Sequence, residues 1–149
     1  MTKENIIYSA VKLIPCIGLG RLKEIASSRP VVYCDHMTLG FGDNVTNSHM
    51  SNVGKLVGLH VTKYIYSKNV GCVVVRETTA RIWDCQSLFP HITLWSNEGV
   101  SPAESNNLLK NFYEGDNEIV AIDLDLPPIY GHVNLFVKTP DGKGKWFLG

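Results

Sequence analysis

Two tetrapeptides of one form, His36-Met37-Thr38-Leu39 and His91-Ile92-Thr93-Leu94, stand in apolar, β-prone stretches of this chain. A strand turns successive side chains to opposite faces. His36 and Thr38 therefore share a face, as do His91 and Thr93. Met37, Leu39, Ile92 and Leu94 take the reverse side, where they can enter a core. Each stretch is thus a half-buried strand of a sheet. If the two lie side by side, two imidazoles and two hydroxyls converge on one surface.

That set suits a phosphodiester. Splitting one requires deprotonating a nucleophile and protonating a leaving oxygen. Histidine titrates near neutral pH, so one copy can be the neutral base while the other is the protonated acid. A threonine hydroxyl two residues on can donate to a non-bridging phosphate oxygen and stabilise charge as phosphorus becomes five-coordinate. Its β-branch restricts the rotamer, so the hydroxyl is partly preorganised. His36, Thr38, His91 and Thr93 are the catalytic candidates, and no metal or other cofactor is required.

A third copy, His60-Val61-Thr62, is followed by Lys63 rather than leucine. It lies in an alternating run and reads as an ordinary half-exposed strand. Trp95 has the parity of His91 and Thr93; it stacks a base or packs as a wall aromatic. Tyr8 and Lys12 share parity on an earlier stretch and border the groove. Arg76 and Arg81 bracket Glu77-Thr78-Thr79-Ala80, and Arg76 is the candidate phosphate holder, with a solvated loop arginine as the alternative. Tyr33 and Phe41 should face away from His36. Cys34 should share its face or pack in the core, and His49 and His132 read as surface or loop residues.

The paired motifs resemble those of the 2H phosphoesterase superfamily, named for its two histidines. The second is closer still. Phe89-Pro90-His91-Ile92-Thr93-Leu94-Trp95, continuing through Ser96 to Asn106, resembles the cyclic phosphodiesterase domain of plant-type tRNA ligases. The resemblance extends from about residue 30 to about residue 137. It implies an α+β fold with two β-rich lobes and a few helices around a central cleft. It also implies hydrolysis at a phosphate bonded to, or next to, a ribose 2′-oxygen. The ligase and kinase domains that accompany this domain in those ligases are not in the sequence.

At 149 residues, one domain spanning 1–149 is expected. No apolar run reaches membrane-spanning length and no signal-peptide layout opens the chain, so the expectation is a cytoplasmic protein without a membrane partner. Lysine plus arginine equal aspartate plus glutamate, 14 against 14, which argues against a basic track for duplex nucleic acid. Cys16, Cys34, Cys72 and Cys85 form no C-x-x-C pair, so free, mostly buried thiols are expected rather than zinc ligands. A monomer is expected.

The element pattern reads as strand 6–14, helix 19–27, motif strand 31–41 and a polar loop 42–52. A hairpin 55–67/70–77 follows, then motif strand 89–95 and a helix from Ser101-Pro102-Ala103-Glu104 to about Tyr113. Strands 119–126 and 129–138 come last, with Trp146 and Phe147 pinning the tail or forming a lid. For substrate, a small neutral chain without repair domains points first to a nucleotide second messenger with a 2′-linked phosphodiester. A cyclic dinucleotide, 2′,3′-cyclic GMP-AMP, is the sharpest candidate, hydrolysed in immune evasion by a stand-alone viral member in the host cytosol. The Asn-, Ile- and Lys-containing texture suits an AT-rich viral genome. The alternatives are a 2′,3′-cyclic phosphate at an RNA end, a short oligonucleotide such as 2′,5′-oligoadenylate, and a non-catalytic nucleotide-binding module.

Overall fold

The computed structural model describes residues 3–77 and 85–149. Among them run β1 (Ile6–Leu13), α1 (Ile17–Ala26), β2 (Val31–Val32), β3 (His36–Phe41), α2 (Asn47–Ser51) and β4 (Leu56–Tyr66). They continue with β5 (Val70–Glu77), β6 (His91–Ser96), α3 (Glu104–Tyr113), β7 (Val120–Asp123), β8 (Ile129–Val137) and β9 (Lys145–Trp146). The nine strands form one antiparallel sheet in the order β7-β4-β5-β6-β3-β1-β8-β9, with β2 on β6. Residues 56–59 of β4 also pair with β8, so β4, β5, β6, β3, β1 and β8 make a closed circuit. The α+β class is the expected one, and its β-rich halves are continuous through β3 and β6.

Strand alternation supplies the core. Val11, Met37, Val57, Val73, Ile92 and Val133, one from each strand of the circuit, pack with Leu22 of α1. Each such side chain contributes about 1.5–3 kcal/mol on burial. Helix α1 begins two residues before the expected start because the Cys16 sulfur accepts the Leu19 N–H, capping it. On the other side, Leu108 and Leu109 of α3 pack with Ile65, Val70 and Cys72. The Ser101 hydroxyl accepts the N–H of Ala103, only two residues on, so residues 101–103 turn and α3 starts later than its capping pattern suggests.

Two expectations fail locally. The polar stretch 42–52 holds α2, capped by Thr46 with His49 reaching back to the Thr46 N–H. A five-residue helix is too short for hydrophobic periodicity to reveal. His49, expected as a surface or loop residue, lies in α2 and is fully buried, with Ser9 Oγ 2.7 Å from its Nδ1. The strand expected over 31–41 is broken between β2 and β3, where Cys34 takes a φ of 54°. Cys34 N–H donates to Thr93 O, yet Met37 stands opposite Ile92. Asp35 and His36 are therefore two extra residues against β6, a bulge that re-aims their side chains. Among the described residues, no helix is long and apolar enough to cross a membrane.

Candidate active site

The pairing of Met37 with Ile92 brings the two motifs together. Continued by one residue, that register sets Thr38 across from His91. The apolar halves, Met37, Leu39, Ile92 and Leu94, are closed to solvent in the core, as alternation requires. The four polar side chains lie on the other face and are all partly exposed. A positive charge on His36 lowers the pKa of His91, the smallest of the influences on that ring.

Each imidazole has its Nδ1 occupied. The Phe89 carbonyl, 2.7 Å from His91 Nδ1, can only accept, so Nδ1 carries the hydrogen and Nε2 is the basic nitrogen. His36 Nδ1 lies 2.9 Å from the Asp35 carboxylate, with the same consequence. Burial lowers the pKa of His91 below its ordinary 6.5; the Phe89 hydrogen bond opposes the shift and the charge of His36 reinforces it. The hydrogen bond from His36 holds the Asp35 carboxyl below its usual range against partial desolvation. The Thr93 hydroxyl is 2.9 Å from that of Ser105 on α3.

Aromatic rings surround His36. Tyr8 of β1 stacks on it at 5.1 Å, and Trp146 of β9 meets it edge-on at 5.7 Å. Burial pushes the Tyr8 phenol up to about 12, with Asp35 adding to the shift. Lys12 is the direct cross-strand neighbour of His36, its ammonium on the Gly149 carbonyl at 3.0 Å. Tyr8 and Lys12 thus stand where their parity places them. Phe41 does not: it is 63% exposed and stacks on Tyr8, on the His36 side. The register shift between Ser9 and Ala10 leaves Leu39 as an extra residue on β3 and reverses the parity of the strand beyond it.

Trp95 is also corrected. It is 0% exposed, its indole N–H donates to Tyr64 Oη at 2.8 Å, and Arg29 covers its ring at 4.0 Å. No face is open to a base. Arg76 is exposed on the same face of β5 as Val74, the cross-strand partner of His91. Arg81 falls outside the described residues. Cys34 lies in the core rather than beside His36, because its left-handed backbone ends the alternation. The third motif copy is structural: Val61 is buried and the Thr62 hydroxyl donates to Val74 O. Sequence reasoning missed Asp35 and the contact of Trp146 with His36. Adjacency to His36 was the only available signal for Asp35, and strand parity pointed it away.

Residues 31–134 match the model of the fungal tRNA ligase phosphodiesterase domain. No curated protein sequence matches significantly. Among solved structures, the chain is similar in fold to one described as a fungal RNA kinase, with a TM-score of 0.64 at 13% identity. The match covers 89% of this chain and 45% of that one, so this chain spans less than half its length.

Proposed function

Because the chain belongs to the fungal tRNA ligase phosphodiesterase domain family, hydrolases of the two-histidine type, we propose that it opens a 2′,3′-cyclic phosphate at an RNA end. The observation that carries this reading is the Met37–Ile92 bridge, which sets both His-x-Thr faces on one surface. The scissile phosphate lies between the hydroxyls of Thr38 and Thr93. One histidine takes a proton from water and the other protonates the departing ribose oxygen. The hydroxyls donate to the non-bridging oxygens, where charge builds in the transition state. Tyr8, beside His36, contacts the terminal nucleoside, and Arg76, on the His91 side, holds a neighbouring phosphate.

The family match reverses the order that the sequence pattern alone suggested, in which messenger hydrolysis stood first. A second reading keeps a 2′-linked messenger, 2′,3′-cyclic GMP-AMP or 2′,5′-oligoadenylate, as substrate. What favours it is the ring cluster at His36, where Tyr8 stacks on the imidazole and Phe41 and Trp146 pack on Tyr8, the kind of side chain that stacks bases. A product assay in EDTA separates the two. It offers an RNA ending in a 2′,3′-cyclic phosphate, 2′,3′-cyclic GMP-AMP, its 3′,3′ isomer and 2′,5′-oligoadenylate. Conversion of the RNA end is the expected result. Selective loss of a messenger selects the second reading, and tight binding without product makes the chain a binding module. His36→Ala and His91→Ala each lower turnover about 10²–10⁴-fold. Folded variants with near-normal rates would remove the two-histidine mechanism.

A further inference from the structure

In a regular strand, Asp35 and His36 would point to opposite faces. The left-handed backbone of Cys34 and the bulge against β6 turn them to one side, and the carboxylate reaches His36 Nδ1 at 2.9 Å. His91 has a different partner, the Phe89 carbonyl. Both contacts leave Nε2 as the working nitrogen. They differ in charge: a carboxylate stabilises an imidazolium as a full anion, a carbonyl only as a dipole.

We infer that Asp35 is a positioning residue that fixes the His36 ring with Nε2 free and sets a full negative charge beside it, making His36 the proton donor and His91 the base. The surroundings agree. Burial, reinforced by the charge of His36 and opposed by the Phe89 hydrogen bond, lowers the pKa of His91, the direction that favours the neutral ring a base requires. The groups facing His36 come from several elements. β1 brings Tyr8 and Lys12, β6 brings His91, and Lys23 of α1 acts on the adjoining Cys34. Burial and Asp35 push the Tyr8 phenol up to about 12, away from the range in which the imidazoles titrate. Lys12 directs its ammonium to the Gly149 carbonyl, and its charge also favours an ionised Asp35. Asp35 supplies the negative charge beside His36 and Lys12.

The step follows, on the reading that the substrate is a cyclic phosphate. His91 Nε2 removes a proton from water, and the water oxygen forms a bond to phosphorus. The bond from phosphorus to one ribose oxygen breaks, its electron pair staying on that oxygen. His36 Nε2 gives that oxygen its proton. The product is a phosphomonoester and a free hydroxyl, and exchange of one proton with solvent resets the pair.

The test pairs imidazole titration by NMR with pH profiles of kcat/KM, in Asp35→Asn and Asp35→Ala. Asparagine can still accept from Nδ1 but lacks the charge; alanine removes both. In Asp35→Asn the alkaline limb, reporting the acid, moves down by about half a pH unit, while the acidic limb stays. Asp35→Ala adds a loss of roughly 10- to 100-fold in kcat, the range for carboxylates that orient an imidazole. In both variants the His36 signal titrates at lower pH than in the wild type, and the His91 signal does not follow it. Movement of the acidic limb instead makes His36 the base and overturns the assignment. A uniform loss with both limbs fixed makes Asp35 merely structural and overturns it too. If the wild-type protein converts no substrate, the functional reading fails and the acid–base roles fall with it. The titration then decides separately whether Asp35 holds His36.

Discussion

Trp95 has the right parity and neighbours for a base platform, yet its ring is enclosed by Tyr64, Gly71 and Arg29. A Cβ on Gly71 would collide with the indole, so the glycine is what admits so large a ring between β5 and β6. Trp95→Phe leaves the Tyr64 hydroxyl without its donor and costs about 1–3 kcal/mol. With the indole closed to solvent, kcat should stay unchanged at a temperature where the variant is folded. Urea titration and kinetics on one sample check both halves, and a kcat loss with full stability would return Trp95 to the substrate. The same residue marks a limit of legibility. Alternation states which face a side chain takes, but a second layer can cover that face, and here Arg29 does so.

The break between β2 and β3 is the element on which the site depends. Cys34 takes a left-handed conformation that strains any residue with a Cβ, β-branched ones most. Cys34→Val should therefore destabilise more than Cys34→Gly, although valine is the better core residue. Cys34→Val also straightens the chain, turning Asp35 from His36, and lowers kcat further than Cys34→Gly does. Thermal melts and initial rates give both orders, and a more stable valine variant would show that the kink is not required. Helix α2 teaches a related lesson. Its capping box uses His49 in place of the usual glutamate or glutamine, and the ring continues inward to Ser9. A buried histidine in a polar segment carries no periodic signature.

At the scale of the molecule, the circuit β4-β5-β6-β3-β1-β8 joins both motif strands through one core. Removing either half exposes the apolar face of the other. Denaturation should accordingly be a single transition, with far-ultraviolet dichroism and tryptophan fluorescence coinciding in urea. Separated transitions would mean that the β-rich halves fold independently. The amino-acid sequence determined the extended character of both motif segments, the α+β class, the inward Met37, Leu39, Ile92 and Leu94, and the pairing of histidine with threonine on one face. These follow from a two-residue period and side-chain chemistry, which are local. Tertiary structure alone decided that Asp35 turns to His36, that Phe41 joins its aromatic neighbours and that Trp95 is sealed. Those outcomes depend on bulges at Ser9–Ala10 and Cys34–His36, and on Arg29 lying over the indole. A bulge is an offset between two strands distant in sequence, so neither strand by itself encodes it.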